Sequence, residues 1–79
     1  MDRYTLSYEG RMRFRRAKIS VNQEEEGKIE GYEVLDYLYE HGTATVEEIE
    51  NNTGLSWGQV VEKITTLMYW GYIEKLAEQ

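Results

Sequence analysis

Cysteine and proline are both absent from this 79-residue sequence, and histidine occurs once, at position 41. Without cysteine there is neither a disulfide framework nor a thiolate metal site, and without a second histidine no nucleophilic pair can be built. The sequence also lacks a glycine-rich phosphate loop, and its consecutive acids at 24–26 do not converge as a catalytic carboxylate pair would. We therefore expect no enzymatic activity, no catalytic residues, no metal site and no cofactor.

Long apolar runs are missing as well. None approaches the roughly 18 residues of a membrane span, and the first residues, Met1-Asp2-Arg3-Tyr4, lack the apolar stretch of a signal peptide. We therefore expect a cytoplasmic protein that makes no membrane contact. The chain suffices for one small domain, whose core rarely contributes more than about 3–5 kcal/mol. Because so small a core stabilises the fold only weakly, we expect a homodimer, in which association adds stability.

Charge of one sign is concentrated at the amino-terminal end. Residues 1–22 contain six basic side chains and two acidic ones, a balance of 6 − 2 = +4, whereas residues 23–79 balance at 3 − 13 = −10. A basic arm on an acidic body either binds a polyanion such as nucleic acid or docks on an acidic surface, its own or a partner's. We accordingly divide the chain into a basic arm, 1–22, and a body, 23–79, within one compact domain.

Apolar and polar side chains alternate from Tyr4 to Phe14, which is typical of a half-buried strand. After Arg16 the phase flips, because the apolar positions become Ala17, Ile19 and Val21. The flip requires either a two-residue turn at Arg15-Arg16, or a turn around Gly10 followed by a bulge. Both alternatives predict an amino-terminal β-ribbon with most of its basic side chains on one solvent face.

The remaining sequence predicts three helices, near residues 30–41, 46–52 and 56–70. The first has a stripe of apolar residues at helical spacing and ends at Gly42. Capping boxes, Thr45 with Glu48 and Ser56 with Gln59, open the second and third. In the third helix we expect these side chains to point inward: Trp57, Val60, Val61, Ile64, Leu67 and Met68.

Several pieces between Glu33 and Leu76 occur in a familiar order. A first helix is followed by the short extended Thr43-Ala44, a second helix, the turn 53–56, a third helix, and an ending in which Leu67 precedes Gly71 and an apolar pair. This order resembles the winged-helix family, that is, winged helix-turn-helix DNA-binding domains. The resemblance implies an α+β fold of three helices with a small antiparallel β-sheet, in which the third helix is the recognition helix that lies in the major groove. Little chain follows Ile73, so the amino-terminal β-ribbon is expected to supply the missing strands of the wing.

The third helix offers DNA a nearly neutral face. At about 100° per residue, the side chains expected to point away from the core include Gln59, which could read adenine, and Thr66, which could touch a phosphate. Glu62 and Lys63 cancel in charge, so the ribbon must supply the cations that neutralise phosphates. The DNA-binding residues that we predict are Arg11, Arg13, Arg15, Arg16, Lys18, Trp57, Gln59, Lys63 and Thr66.

Two functions remain open from the sequence. The first is a small, dimeric transcriptional regulator that binds double-stranded DNA through the basic ribbon and the third helix. The second is a winged-helix interaction module that binds a protein partner and no DNA. The acidic body and the many aromatic side chains favour the second, because aromatic residues are enriched in protein interfaces.

Overall fold

The computed structural model describes residues 2–20 and 31–76. Within these residues, four helices and three strands follow one another in the chain. They are β1 (Arg3–Leu6), α1 (Tyr8–Ser20), α2 (Tyr32–His41), β2 (Thr43–Ala44), α3 (Val46–Thr53), α4 (Trp57–Tyr69) and β3 (Ile73–Leu76). The strands form one antiparallel sheet in the order β2–β1–β3. The α+β architecture expected from the sequence is confirmed.

The central strand of the sheet comes from the amino-terminal segment. Tyr4 of β1 is paired with Ala44 on one side and with Lys75 on the other. The Arg3 guanidinium donates to Thr43 Oγ1 at 3.1 Å and to Glu48 Oε1 at 2.9 Å, and thereby ties β1 to both β2 and α3. The amino-terminal segment thus supplies a strand beside β3, as expected, but a single strand of four residues.

The predicted β-ribbon is wrong beyond Leu6, because residues Tyr8–Ser20 form the helix α1. Ser7 starts this helix: its Oγ accepts from the Gly10 N–H at 3.0 Å, and its carbonyl accepts from the Arg11 N–H at 2.9 Å. Such an N-cap satisfies backbone donors that the first helical turn leaves unpaired. Among residues 8–16 of α1, the two buried ones, Gly10 and Phe14, lie one helical turn apart. The strand-like alternation of the sequence does not determine which of these residues are buried.

Phe14 anchors α1 to the rest of the fold. Its side chain is fully buried, and its ring lies 5.3 Å from the rings of both Tyr32 and Tyr39 on α2. Aromatic pairs at this separation are favourable beyond the area that they bury. The segment expected to be a solvent-facing ribbon is therefore partly core.

The three helices predicted for the body are confirmed as α2, α3 and α4, with ends within two residues of the expected ones. The Thr45 side chain accepts from the Glu48 N–H, and Gly42 and Gly54 take positive φ angles of 87° and 77° just after α2 and α3. The residue expected at the start of the first helix, and the arm–body boundary after residue 22, lie outside the described residues.

One hydrophobic core joins all four helices to the sheet. From α4 it takes Val60, Ile64 and Leu67, as the helical period predicts. Trp57 and Met68 were also expected to point inward, and this is wrong, since they are 59% and 37% exposed. Periodicity sets the direction of a side chain but not whether a neighbouring element covers it. Among residues whose burial the structure describes, the buried apolar side chains are Leu6, Phe14, Val34, Leu35, Leu38, Ala44, Ile49, Val60, Ile64, Leu67 and Ile73.

Candidate nucleic-acid interface

The helix α4 begins with a complete capping box. Ser56 Oγ accepts from the Gln59 N–H at 3.2 Å, while Gln59 Oε1 accepts from the Ser56 N–H at 2.9 Å. The reciprocal pair satisfies two backbone donors and fixes the direction in which the chain enters α4. It also means that Gln59, the predicted reader of adenine, already uses its amide oxygen within the helix.

The outermost stripe of α4 runs along the whole helix. Its members follow the helical spacing i, i+4, i+7 and i+11 and are all exposed, opposite the buried Val60, Ile64 and Leu67. They are Gly58, Glu62, Thr65 and Tyr69. None of these four was among the predicted DNA-binding residues. Two predicted residues, Lys63 and Thr66, are half-buried on the flanks of the stripe.

Gly58 differs from the other glycines that the structure describes. Four of them have positive φ, and a Cβ on Gly10 would lie 2.0 Å from the Tyr72 carbonyl oxygen, so each has a reason within the fold to lack a side chain. At Gly58 φ is not positive, and an added Cβ would meet no atom within 4 Å. Glycine is less favourable than alanine in a helix, because its backbone loses more conformational freedom on folding. Nothing inside the described protein offsets that cost at Gly58.

The helix α1 carries most of the positive charge of the protein. Between Tyr8 and Ser20 five basic residues outnumber the one acid, Glu9, and all four arginines are exposed. Lys18 lies in the same helix. Since the segment is helical, its arginines do not share one face, as the ribbon would have required. Arg11 and Arg15, four residues apart, share one flank of α1, while Arg13 and Arg16, three apart, share the other.

The two arginine flanks have different neighbours. On the first flank, the guanidinium of Arg11 lies 6.0 Å from the ring centre of Tyr39 on α2. On the second, that of Arg13 lies 5.1 Å from the ring centre of Tyr72, just after α4. Both are within the range of cation–π attraction. The flank of Arg13 and Arg16 is therefore the one beside the carboxy-terminal end of α4.

Close backbone contact fixes α1 next to that end of α4. The Ser7 N–H donates to the Tyr72 carbonyl at 3.0 Å, and the Ser7 hydroxyl donates to the Gly71 carbonyl. Gly10 lets the first turn of α1 settle against the same Tyr72 carbonyl. We call this contact the junction, defined by Ser7, Gly10, Gly71 and Tyr72. It places the positive charge of α1 beside the chain that leads from α4 to β3.

Further acidic side chains lie on α3 and between α2 and α3. The first turn of α3 contains Glu47, which is exposed, and Glu48, which pairs with Arg3. A cleft between α2 and α3 is lined by three further acids, Glu33, Asp36 and Glu40. In the part of the chain that the structure describes, no group of three or more acidic or histidine side chains is arranged to hold a metal ion.

Aromatic side chains are exposed around the junction. Tyr8 is 75% and Tyr69 88% exposed, and Trp70 is half-exposed with its ring edge-on to that of Tyr72 at 6.2 Å. At the other end of α4, Trp57 is exposed beside Gly58.

Among residues 2–20 and 31–76, no helix has both the length and the apolar character needed to cross a bilayer.

The arrangement of α2, α3 and α4, followed by β3 against β1, is that of a winged helix-turn-helix domain, a class of DNA-binding domain. Residues 31–77, more than half of the chain, match the IclR helix-turn-helix domain, and the chain belongs to that family. No curated protein and no solved structure matches the chain. The protein thus carries a DNA-binding domain of the kind found in transcription regulators.

Proposed function

We propose that the protein regulates transcription by binding double-stranded DNA with α4 in the major groove and with α1 on the phosphates beside it. In helix-turn-helix proteins the residues near the start of the recognition helix contact base edges. That role falls to the exposed first turn of α4, with Trp57 and Gln59. Lys63 and Thr66, on the flanks of the helix, contact the phosphates that border the groove.

The observation that carries this proposal is the junction between α1 and the end of α4. A helix-turn-helix domain needs several cations against the phosphates, and α3 and α4 together carry only Lys63. The junction sets Arg13 and Arg16 beside the exit from α4. A duplex that lies along α4, which is about 20 Å long at 1.5 Å per residue, passes close to this flank. Arg11, Arg15 and Lys18 add to the attraction at longer range.

The amide of Gln59 remains able to read a base while it caps the helix. Its oxygen has a second lone pair, and its NH₂ group is a donor that the capping box does not use. Contact with adenine N7 through this donor is therefore compatible with the cap, whereas the full two-bond contact must share the oxygen with the Ser56 N–H. We expect Gln59 to contribute moderate base preference.

A comparison of two double variants with equal charge tests the proposal. Binding to a fluorescent mixed-sequence duplex is measured between 50 and 200 mM salt for the wild type, for Arg13→Ala with Arg16→Ala, and for Arg11→Ala with Arg15→Ala. We expect the first pair to lower the slope of log K against log salt by about 2, because each phosphate contact contributes about 0.9. The second pair, on the opposite flank, should lower it by less than half as much.

Two results would contradict the proposal. Equal slopes for the two pairs would show that α1 acts only through its total charge. A wild type that fails to bind the duplex at 50 mM salt would remove DNA binding altogether, because low salt is the most permissive condition for phosphate contacts.

A second candidate function is supported by the acids of α3 and by the exposed aromatic residues around the junction. Glu47 lies in the helix that crosses the DNA backbone in other helix-turn-helix complexes, where it would repel phosphates. An interaction module would instead use Tyr69 and Trp70 to bind a protein partner. In that case Tyr69→Ala would abolish the complex without unfolding the protein, and DNA affinity would be no better than about 10⁻⁴ M at physiological salt.

A further inference from the structure

The glycine at position 58 has no explanation in the described part of the fold, although it lies on the outermost stripe of the recognition helix. Its φ is not positive, and the space that a side chain would occupy is empty for at least 4 Å. Each of the other glycines described has a positive φ or a backbone contact that requires the absence of Cβ. Among the described residues, nothing requires a glycine at this exposed position of α4.

We infer that Gly58 is a specificity-determining residue at which the backbone of α4 comes into van der Waals contact with base edges on the floor of the major groove. This inference rests on the proposed function. It adds that the helix approaches DNA most closely in its first turn, at the one position of the stripe without a side chain. The neighbours of Gly58 are then held at the depth from which they reach the bases.

The surroundings of Gly58 fit a close approach. Gln59 folds back onto the Ser56 N–H, so that its side chain does not screen Gly58 from the groove. Trp57, 59% exposed, stands beside Gly58 and offers an apolar surface for a thymine methyl group. One turn later, Glu62 on the same stripe can accept from the N4 amino group of cytosine.

A methyl group at position 58 would hold the backbone of α4 away from the bases. Its carbon would lie about 1.5 Å from Cα, one C–C bond length. Hydrogen bonds between donor and acceptor are lost beyond about 3.5 Å, so a displacement of that size would separate Gln59 and Glu62 from the bases that they contact. Phosphate contacts through long, flexible arginines would tolerate it. The loss should therefore fall on sequence preference and leave the non-specific attraction largely intact.

The test compares wild type with Gly58→Ala on two duplexes, one selected by the wild type from a random pool and one unselected. We expect the variant to bind the selected duplex at least tenfold more weakly and the unselected duplex within twofold of wild type. Its melting temperature should rise by a few °C, because alanine restricts the unfolded chain and suits a helix better. The matched control is Glu33→Ala, at the second position of α2 as Gly58 is of α4, which should not weaken binding to either duplex.

The outcomes separate this inference from the proposed function. Failure of the wild type to bind any duplex at low salt would contradict the proposed function. Wild-type binding with an unchanged affinity of Gly58→Ala for the selected duplex would contradict the inference alone, and so would an equal loss on both duplexes. A lower melting temperature for Gly58→Ala would also overturn it, because the space around position 58 would then be filled within the fold.

Discussion

At the scale of single residues, two glycines near helix starts serve opposite purposes. Gly10 lies in the first turn of α1, where the backbone of Tyr72 occupies the place of a side chain. Gly58 lies in the first turn of α4 and faces empty space. The same substitution by alanine therefore tests close packing inside the molecule at one site and contact outside it at the other.

We predict that Gly10→Ala destabilises the protein. The new Cβ would lie 2.0 Å from the Tyr72 carbonyl oxygen, a backbone atom that cannot rotate away. Overpacking of this kind costs about 1–3 kcal/mol, which urea unfolding followed by circular dichroism can measure. Gly58→Ala, the identical chemical change, should raise the free energy of unfolding. If Gly10→Ala proves as stable as wild type, α1 does not rest on the junction.

The double role of Gln59 leads to a second prediction. Gln59→Glu keeps an oxygen that accepts from the Ser56 N–H and adds a negative charge at the positive end of the helix dipole. The variant should thus be at least as stable as wild type, yet bind DNA at least tenfold more weakly, because a carboxylate would then lie against the bases and phosphates. Melting curves and anisotropy titrations measure the two effects. A gain in stability with unchanged DNA affinity would assign Gln59 to capping alone.

At the scale of elements, the sequence-based prediction differs from the structure at α1, where a strand was expected and a helix is found. Its alternation of apolar and polar side chains fits a strand, and the competing signal, Ser7 three residues before Gly10 and seven before Phe14, is short and weak. The decision between them depends on Tyr72, some sixty residues further along the chain, which offers Gly10 a close backbone contact. No local pattern encodes a partner at that distance.

The helices α2, α3 and α4 could be predicted because their signals are local. Thr45 and Ser56 each cap a helix through a residue three positions later, and Gly42 and Gly54 follow α2 and α3 with the positive φ that glycine tolerates. The residues of the candidate site could be predicted only in part, because their exposure depends on contacts that are not local. Periodicity predicted the buried stripe of α4, Val60, Ile64 and Leu67, whereas the exposure of Trp57 depends on which neighbouring elements cover it.

The docking of α1 yields a third prediction. Phe14→Leu should lower the free energy of unfolding by about 1–2 kcal/mol, since it replaces a fully buried ring between Tyr32 and Tyr39 with a smaller side chain. Tyr69→Leu, the same aromatic-to-aliphatic change at an exposed position of α4, should alter it by less than about 0.5 kcal/mol because Tyr69 is mostly exposed. Urea unfolding measures both. Equal stability of the two variants would mean that residues 8–20 are a detached arm.

At the scale of the whole molecule, the distribution of charge and the small core act together. The net charge of −6 opposes association with DNA at long range, while the five basic residues of α1 attract it locally. A second copy of the protein would double the number of basic flanks on one duplex. Helix-turn-helix dimers bind half-sites about one helical turn apart, roughly 34–36 Å, so that two weak contacts combine into one stronger contact.

We therefore predict a homodimer in solution. A domain of 79 residues buries a small core, and Tyr8, three residues before Arg11, leaves a large aromatic surface exposed on the flank of α1 opposite Arg13 and Arg16. Sedimentation at high micromolar concentration should give twice the monomer mass of 9.4 kDa, and the melting temperature should rise with protein concentration, because association stabilises the folded state by mass action. Tyr8→Lys should restore the monomer mass without unfolding the protein, since this side chain packs little within its own chain. A wild type that sediments as a monomer at these concentrations would refute the dimer, and the aromatic residues would then require a different partner.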